Sequence, residues 1–166
     1  LRGLTYDVAQ VIFKLAKEKN IGAFILEIAR SEMGYTGQDP YEYTGVVLGA
    51  AIKAGFKGPV FIQGDHFQVK PDKITGQAKS QEVEKIKKLI KTSIQAGFYN
   101  IDIDTSTLVD LTQKTVDDQQ KANYLLTAKL ALYCRELQPK TITISLGGEI
   151  GEVGSKNSTE EELRVY

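Results

Sequence analysis

Asp65-His66 closes the apolar run Pro59-Val60-Phe61-Ile62-Gln63-Gly64, and His66 is the only histidine in 166 residues. A carboxylate beside an imidazole offers a group that moves a proton next to one that ligates a metal. Polar side chains also close three other apolar runs: Glu27 after Phe24-Ile25-Leu26, Asp104-Thr105-Ser106 after Ile101-Asp102-Ile103, and Glu149 after Ser145-Leu146. The His66 imidazole and the Glu149 carboxylate suit a divalent cation, although two ligands are too few to hold one. The lone Cys134 excludes both a thiolate-type structural zinc and an internal disulfide.

Strands and helices must bring these residues together. Thr5 caps a helix in which Val8, Val11, Ile12 and Leu15 are expected to face inward. Asp39-Pro40 opens a second helix that ends at Gly55, Ser80 a third that ends at Gly97, and Thr115-Val116-Asp117-Asp118 a fourth that stops before Pro139. Between them lie expected strands at 21–28, 60–63, 99–104 and 141–146, the first buried on both faces. Strict alternation implies right-handed parallel crossovers in an α/β fold, either an open doubly wound sheet or part of a closed barrel. In either, the C-terminal strand ends share one face, so the polar residues would converge there. The plainer alternative is that each caps a turn, as Asp, Ser and Thr commonly do. Ala54-Gly55-Phe56 and Ala96-Gly97-Phe98 occupy matching helix-to-strand junctions, consistent with a repeated unit or with two helices that each stop at glycine.

Acidic and basic residues balance at 21 each, and no basic cluster is interleaved with aromatics, which argues against a nucleic-acid footprint. No apolar stretch approaches the roughly 20 residues of a membrane span, and the first residues lack the charged-then-apolar order expected of a signal peptide. The expected setting is a reducing cytoplasm, and the expected partner a small molecule or another subunit. Gly147-Gly148-Glu149-Ile150-Gly151-Glu152-Val153-Gly154 is glycine-rich without the Gly-Lys-Ser/Thr ending of a P-loop. Ser158-Thr159-Glu160-Glu161-Glu162-Leu163 has the form of a helix start, so the chain reads as one domain, 1–166, belonging to a longer protein.

Three segments together resemble a known family. Gly58-Pro59-Val60-Phe61-Ile62-Gln63-Gly64-Asp65-His66, Ala96-Gly97-Phe98-Tyr99-Asn100-Ile101-Asp102-Ile103-Asp104-Thr105-Ser106 and Gly148-Glu149-Ile150-Gly151-Glu152-Val153-Gly154 are similar, in order, to the motifs of class II, metal-dependent sugar-bisphosphate aldolases. The resemblance implies a TIM (β/α)8-barrel of which four to five βα units are present. It implies a divalent metal, zinc foremost, bound by His66 with Glu149 close by, and Asp65 as the catalytic proton carrier. Asp104, Ser106 and Gly151 would then face a phosphorylated ketose cleaved through a metal-stabilised enediolate, in a homo-oligomer of two or four barrels. Ala29 stands where many members have serine, and Ser155-Lys156-Asn157-Ser158 where they have an acidic cluster. The stretch Gly64-Asp65-His66 through Pro71 also resembles the accessory subunit of tagatose-bisphosphate aldolase, which would make this a non-catalytic barrel supporting a partner.

Overall fold

The computed structural model describes residues 1–70, 76–151 and 157–166, with backbone alone for 76–79. Strands β1 (Ile25–Ala29), β2 (Phe61–Asp65), β3 (Asn100–Ile103) and β4 (Ser145–Gly148) alternate with helices α1 (Thr5–Glu18), α2 (Arg30–Thr36), α3 (Pro40–Ala54), α4 (Gly76–Ala96), α5 (Val116–Leu137) and α6 (Glu160–Val165). Capping residues set several of these starts. The Asp39 side chain accepts the Glu42 amide ahead of Pro40, Thr115 that of Asp118, and Thr159 that of Glu162. The short helix α2, directly after β1, was not foreseen from the sequence. Its first-turn Glu32 accepts the Ala29 amide at 3.0 Å, tying the helix to the strand end.

All four strands are parallel, in the order β1-β2-β3-β4. Each strand lies beside its neighbour in sequence, without the reversal that marks a doubly wound sheet. Register divides the side chains cleanly. Leu26, Ile28, Ile62, Ile101 and Ile103 point to the face covered by helices and join Phe13, Val47, Ile86, Ile90, Phe98 and Leu130 in one core. The opposite face carries Ile25, Glu27, Phe61, Gln63, Asn100, Ser145 and Gly147, none of them buried, while Ala29 and Asp102, at its C-terminal end, are buried. The first strand is therefore buried on one face, not two. Glu27 lies inside it rather than at its end, and accepts a hydrogen bond from Gln63 Nε2 at 3.1 Å.

Two further expectations shift. Helix α1 buries Thr5, Ala9, Phe13 and Ala16, while Val8, Val11 and Leu15 are exposed. The small Ala9 and Ala16 let α1 approach α3, and Phe13 enters an aromatic cluster with Phe24 and Phe56 at centroid distances of 5.6 and 5.0 Å. The β-branched run Thr141-Ile142-Thr143 precedes the fourth strand, because pairing of Asn100 with Ser145 and Ile103 with Gly148 moves β4 toward the glycines. The two Ala-Gly-Phe junctions are alike in detail. Gly55 and Gly97 both take positive φ, and the following Phe56 and Phe98 amides return to Ala51 and Ser93 carbonyls, so each closes its helix with the same motif.

Candidate functional site

β2 delivers Asp65 as its last residue and His66 directly after it. His66 adopts φ 40°, a left-handed conformation shared with Leu4 and Asn20 and uncommon for a side chain larger than glycine. Two features hold the turn. Phe67 is fully buried with its ring folded against Gly64, where a Cβ would lie 2.3 Å from the ring. The Phe67 and Val69 amides then donate to the Asp102 and Asp104 carbonyls at 3.0 and 2.9 Å, extending the edge of β3 past the strand.

β3 delivers two carboxylates. Asp102 lies on the open face, accepts the His66 amide at 3.2 Å, and leans over Gly147, where a Cβ would come within 2.8 Å of its Oδ1. Asp104 is buried, and both its oxygens are committed. Ser106 donates through its amide and hydroxyl to Oδ1 at 3.1 and 2.7 Å, and Gln68 Nε2 to Oδ2 at 2.7 Å. The same Oδ2 stands 3.2 Å from His66 Nδ1. A carboxylate oxygen in that position calls for hydrogen on Nδ1, which leaves the Nε2 lone pair for a cation. Ser106, expected to contact substrate, is buried, and its hydroxyl donates to Asp104.

One oxygen of Asp65, a ring nitrogen of His66 and one oxygen of Asp102 all lie within 4.8 Å of one another. One imidazole and two carboxylates form a donor set that suits zinc or a harder divalent ion, with positions left for substrate or water. The electrostatics agree. Burial, then the charge of Glu149, pushes the Asp102 carboxyl up to about 6. Burial raises Glu149 as well, with Asp104 and Asp65 adding to it against the pull of His66. For His66, burial pulls the imidazole down, but the hydrogen bond to Asp104 and the charges of Asp65, Asp104 and Asp102 carry it above its ordinary value.

The structure thus brings Asp65, His66, Asp104 and Glu149 to one end of the sheet, as the sequence suggested, and adds Asp102. It also reveals a buried polar ridge on α5 that sequence reasoning missed. Asn123 Nδ2 donates to the Glu149 carbonyl at 2.9 Å and Gln120 Nε2 to that of Ile150 at 2.8 Å. Thr105 Oγ1 lies 2.6 Å from both Asn123 Oδ1 and Thr127 Oγ1. Gln120, Asn123 and Thr127 recur at helical spacing, which was the available signal, but polar residues so spaced usually mark a solvated face. Gly151 follows this anchored pair, whereas Glu152, Val153, Gly154, Ser155 and Lys156 lie outside the described residues.

Comparison with known proteins converges on one group. A family model described as D-tagatose-1,6-bisphosphate aldolase subunit GatZ/KbaZ-like matches residues 28–166. The chain is 28% identical over 141 residues to the D-tagatose-1,6-bisphosphate aldolase subunit GatZ of Salmonella newport (strain SL254), covering 80% of this chain and 31% of that protein. The subunits of the same name from Salmonella dublin and Salmonella enteritidis PT4 match equally. The chain therefore spans about a third of the length of these curated relatives. Among solved structures, a probable tagatose 6 phosphate kinase from Sinorhizobium meliloti 1021 superposes with a TM-score of 0.63 at 21% identity, over 95% of this chain and 41% of that one. At that identity the likeness is one of fold.

Proposed function

The chain belongs to the D-tagatose-1,6-bisphosphate aldolase subunit GatZ/KbaZ-like family, and from that premise we propose that it is the cation-holding portion of an aldolase subunit acting on a phosphorylated ketose. The juxtaposition of Asp65, His66 and Asp102 at the strand ends carries this reading.

The proposed frame is an incomplete (β/α)8 barrel. Parallel strands in sequential order, helices on one face and an uncovered opposite face are what such a segment presents. The uncovered face, with its Glu27–Gln63 pair and the Phe61 side chain, then corresponds to a barrel interior.

His66 Nε2 and Asp102 would hold a divalent ion, zinc foremost, with the Glu149 carboxylate close by. Once bound, that ion supplies Lewis-acid polarisation of a substrate carbonyl. The chain's own residues do the rest. Asp104, locked by Ser106 and Gln68, keeps His66 in the tautomer with hydrogen on Nδ1. Asp65, half-buried at the mouth of the sheet, takes the proton of the sugar hydroxyl at the bond that breaks and returns it in the reverse direction. Asn123 and Gln120 fix the carbonyls of Glu149 and Ile150, so that Glu149 and Gly151 border the substrate at a set distance.

A second reading, favoured by the word subunit in the relatives' own name, is a non-catalytic barrel that supports an aldolase partner. One experiment separates the two. Intact subunit, alone and with its partner subunit, is assayed for bound metal and for cleavage of D-tagatose 1,6-bisphosphate. Stoichiometric metal that His66→Ala abolishes, with cleavage lost in Asp65→Asn at unchanged metal content, is the expected result. Full cleavage by a complex carrying Asp65→Asn would place the chemistry in the partner, and a metal-free active subunit would refute the cation site.

A further inference from the structure

Arg30 opens α2 directly after Ala29, the strand partner of Asp65. Its Nη1 donates to Glu82 Oε1 and to the Gln68 carbonyl, both at 2.5 Å. Glu82, on α4, is buried and accepts the Lys70 amide at 3.2 Å through the same oxygen, while its Oε2 has no hydrogen-bond partner among the described residues. The pair therefore grips residues 68 and 70 from the side opposite β3, which holds 67 and 69 through backbone bonds. We propose that Arg30 and Glu82 are positioning residues of the site: their buried ion pair fixes segment 66–70 and, through Gln68 and Asp104, the rotation of the His66 ring.

The chemistry supports a positioning role over a stabilising one. An ion pair with one buried partner recovers its desolvation cost only when its atoms are fully satisfied, and among the described residues Glu82 leaves one oxygen unpaired. Its return lies in geometry instead. Gln68 has its carbonyl gripped by Arg30 and its amide donated to Asp104 Oδ2, the atom that faces His66 Nδ1. A shift at Gln68 thus moves the acceptor that sets both tautomer and ring orientation. Partners one step removed from a metal ligand act in this way.

The proposal rests on reading His66 as a metal ligand, and the test keeps the two apart. His66 is the only histidine of these 166 residues, and in the 15N-labelled intact subunit its ring nitrogens are identified as the resonances that His66→Gln removes. Three variants of the intact subunit are compared with the wild type by imidazole NMR, cobalt(II) titration and thermal melting: Gln68→Ala, Glu82→Gln, and the paired Arg30→Met/Glu82→Leu. Gln68→Ala and Glu82→Gln are each expected to weaken cobalt binding about 10- to 100-fold and to lose the bias toward hydrogen on Nδ1. The paired variant, which removes the buried charges together, is expected to keep the melting temperature of the wild type without its cobalt affinity. Wild-type affinity and tautomer in the paired variant would overturn the proposal. If the wild type binds no cobalt, the cation reading fails by itself, and the tautomer decides: an unchanged ring in Gln68→Ala and in the paired variant refutes the clamp, and a lost bias sustains it.

Discussion

Replacing Asp102 by asparagine is expected to stabilise the metal-free protein at neutral pH. A carboxyl that holds its proton to about 6 when folded, against 3.8 for an ordinary aspartate, binds that proton more tightly in the folded state, the reverse of a salt-bridged aspartate. Its ionisation therefore costs stability: the penalty is absent well below 3.8, grows as pH rises between the two values, and is complete above 6. The difference is worth about 3 kcal/mol at most, and about 1–2 kcal/mol once partial solvation at the open face is allowed for. Asparagine removes the charge and retains a carbonyl oxygen for the His66 amide. Urea unfolding at pH 8 should show Asp102→Asn more stable than wild type by that amount, with the gap narrowing as pH falls from 6 toward 3.8. Saturating cobalt should then reverse the order, because the wild-type carboxylate ligates the ion more strongly than the asparagine carbonyl. A variant no more stable than wild type at pH 8 would refute the claim that crowding by Glu149 and burial strain this carboxylate.

Three other outcomes are expected. Cobalt binding should weaken as pH falls through the raised pKa of His66, with a midpoint above 6.5, because a protonated ring cannot ligate; for the apo protein the sign is opposite, its stabilisation by protonated His66 being lost as pH rises through that value. A midpoint below 6.5 in the imidazole titration would contradict this. Gly64→Ala should cost about 1–3 kcal/mol in urea unfolding, since the new methyl would lie 2.3 Å from the buried Phe67 ring, and Phe67→Leu in the same chain should recover part of it. Asn123→Ala should cost about 1–3 kcal/mol by removing the donor to the Glu149 carbonyl and to Gln120 Oε1. An Asn123→Ala protein within about 0.5 kcal/mol of wild type would show the α5 ridge to be incidental.

What the sequence reveals and conceals follows from how local each determinant is. Alternation of helix and strand is written in caps, glycine stops and apolar runs, each a matter of a few neighbouring residues, and it sufficed to bring Asp65, His66, Asp104 and Glu149 to one end of the sheet. The inward face of α1 was not local in this sense. Leu4, Val8, Val11 and Leu15 recur as regularly as Ala9, Phe13 and Ala16, and the choice is made by the neighbours, where small alanines admit α3 and Phe13 finds Phe24 and Phe56. Register displaced β4 for the same reason, since a β-branched run can pair only where β3 offers partners. Asp102 had a local signal that is easy to pass over. An acid between Ile101 and Ile103 must point away from the core those two enter, toward the face that also carries Glu27 and Asp65. The parts least visible in sequence, Arg30 with Glu82 and Gln120 with Asn123, join residues far apart in the chain and touch no candidate ligand side chain directly. Residue type at the strand ends can therefore announce a site, whereas the angle of its ligands is set by helices whose own sequence gives no sign of it.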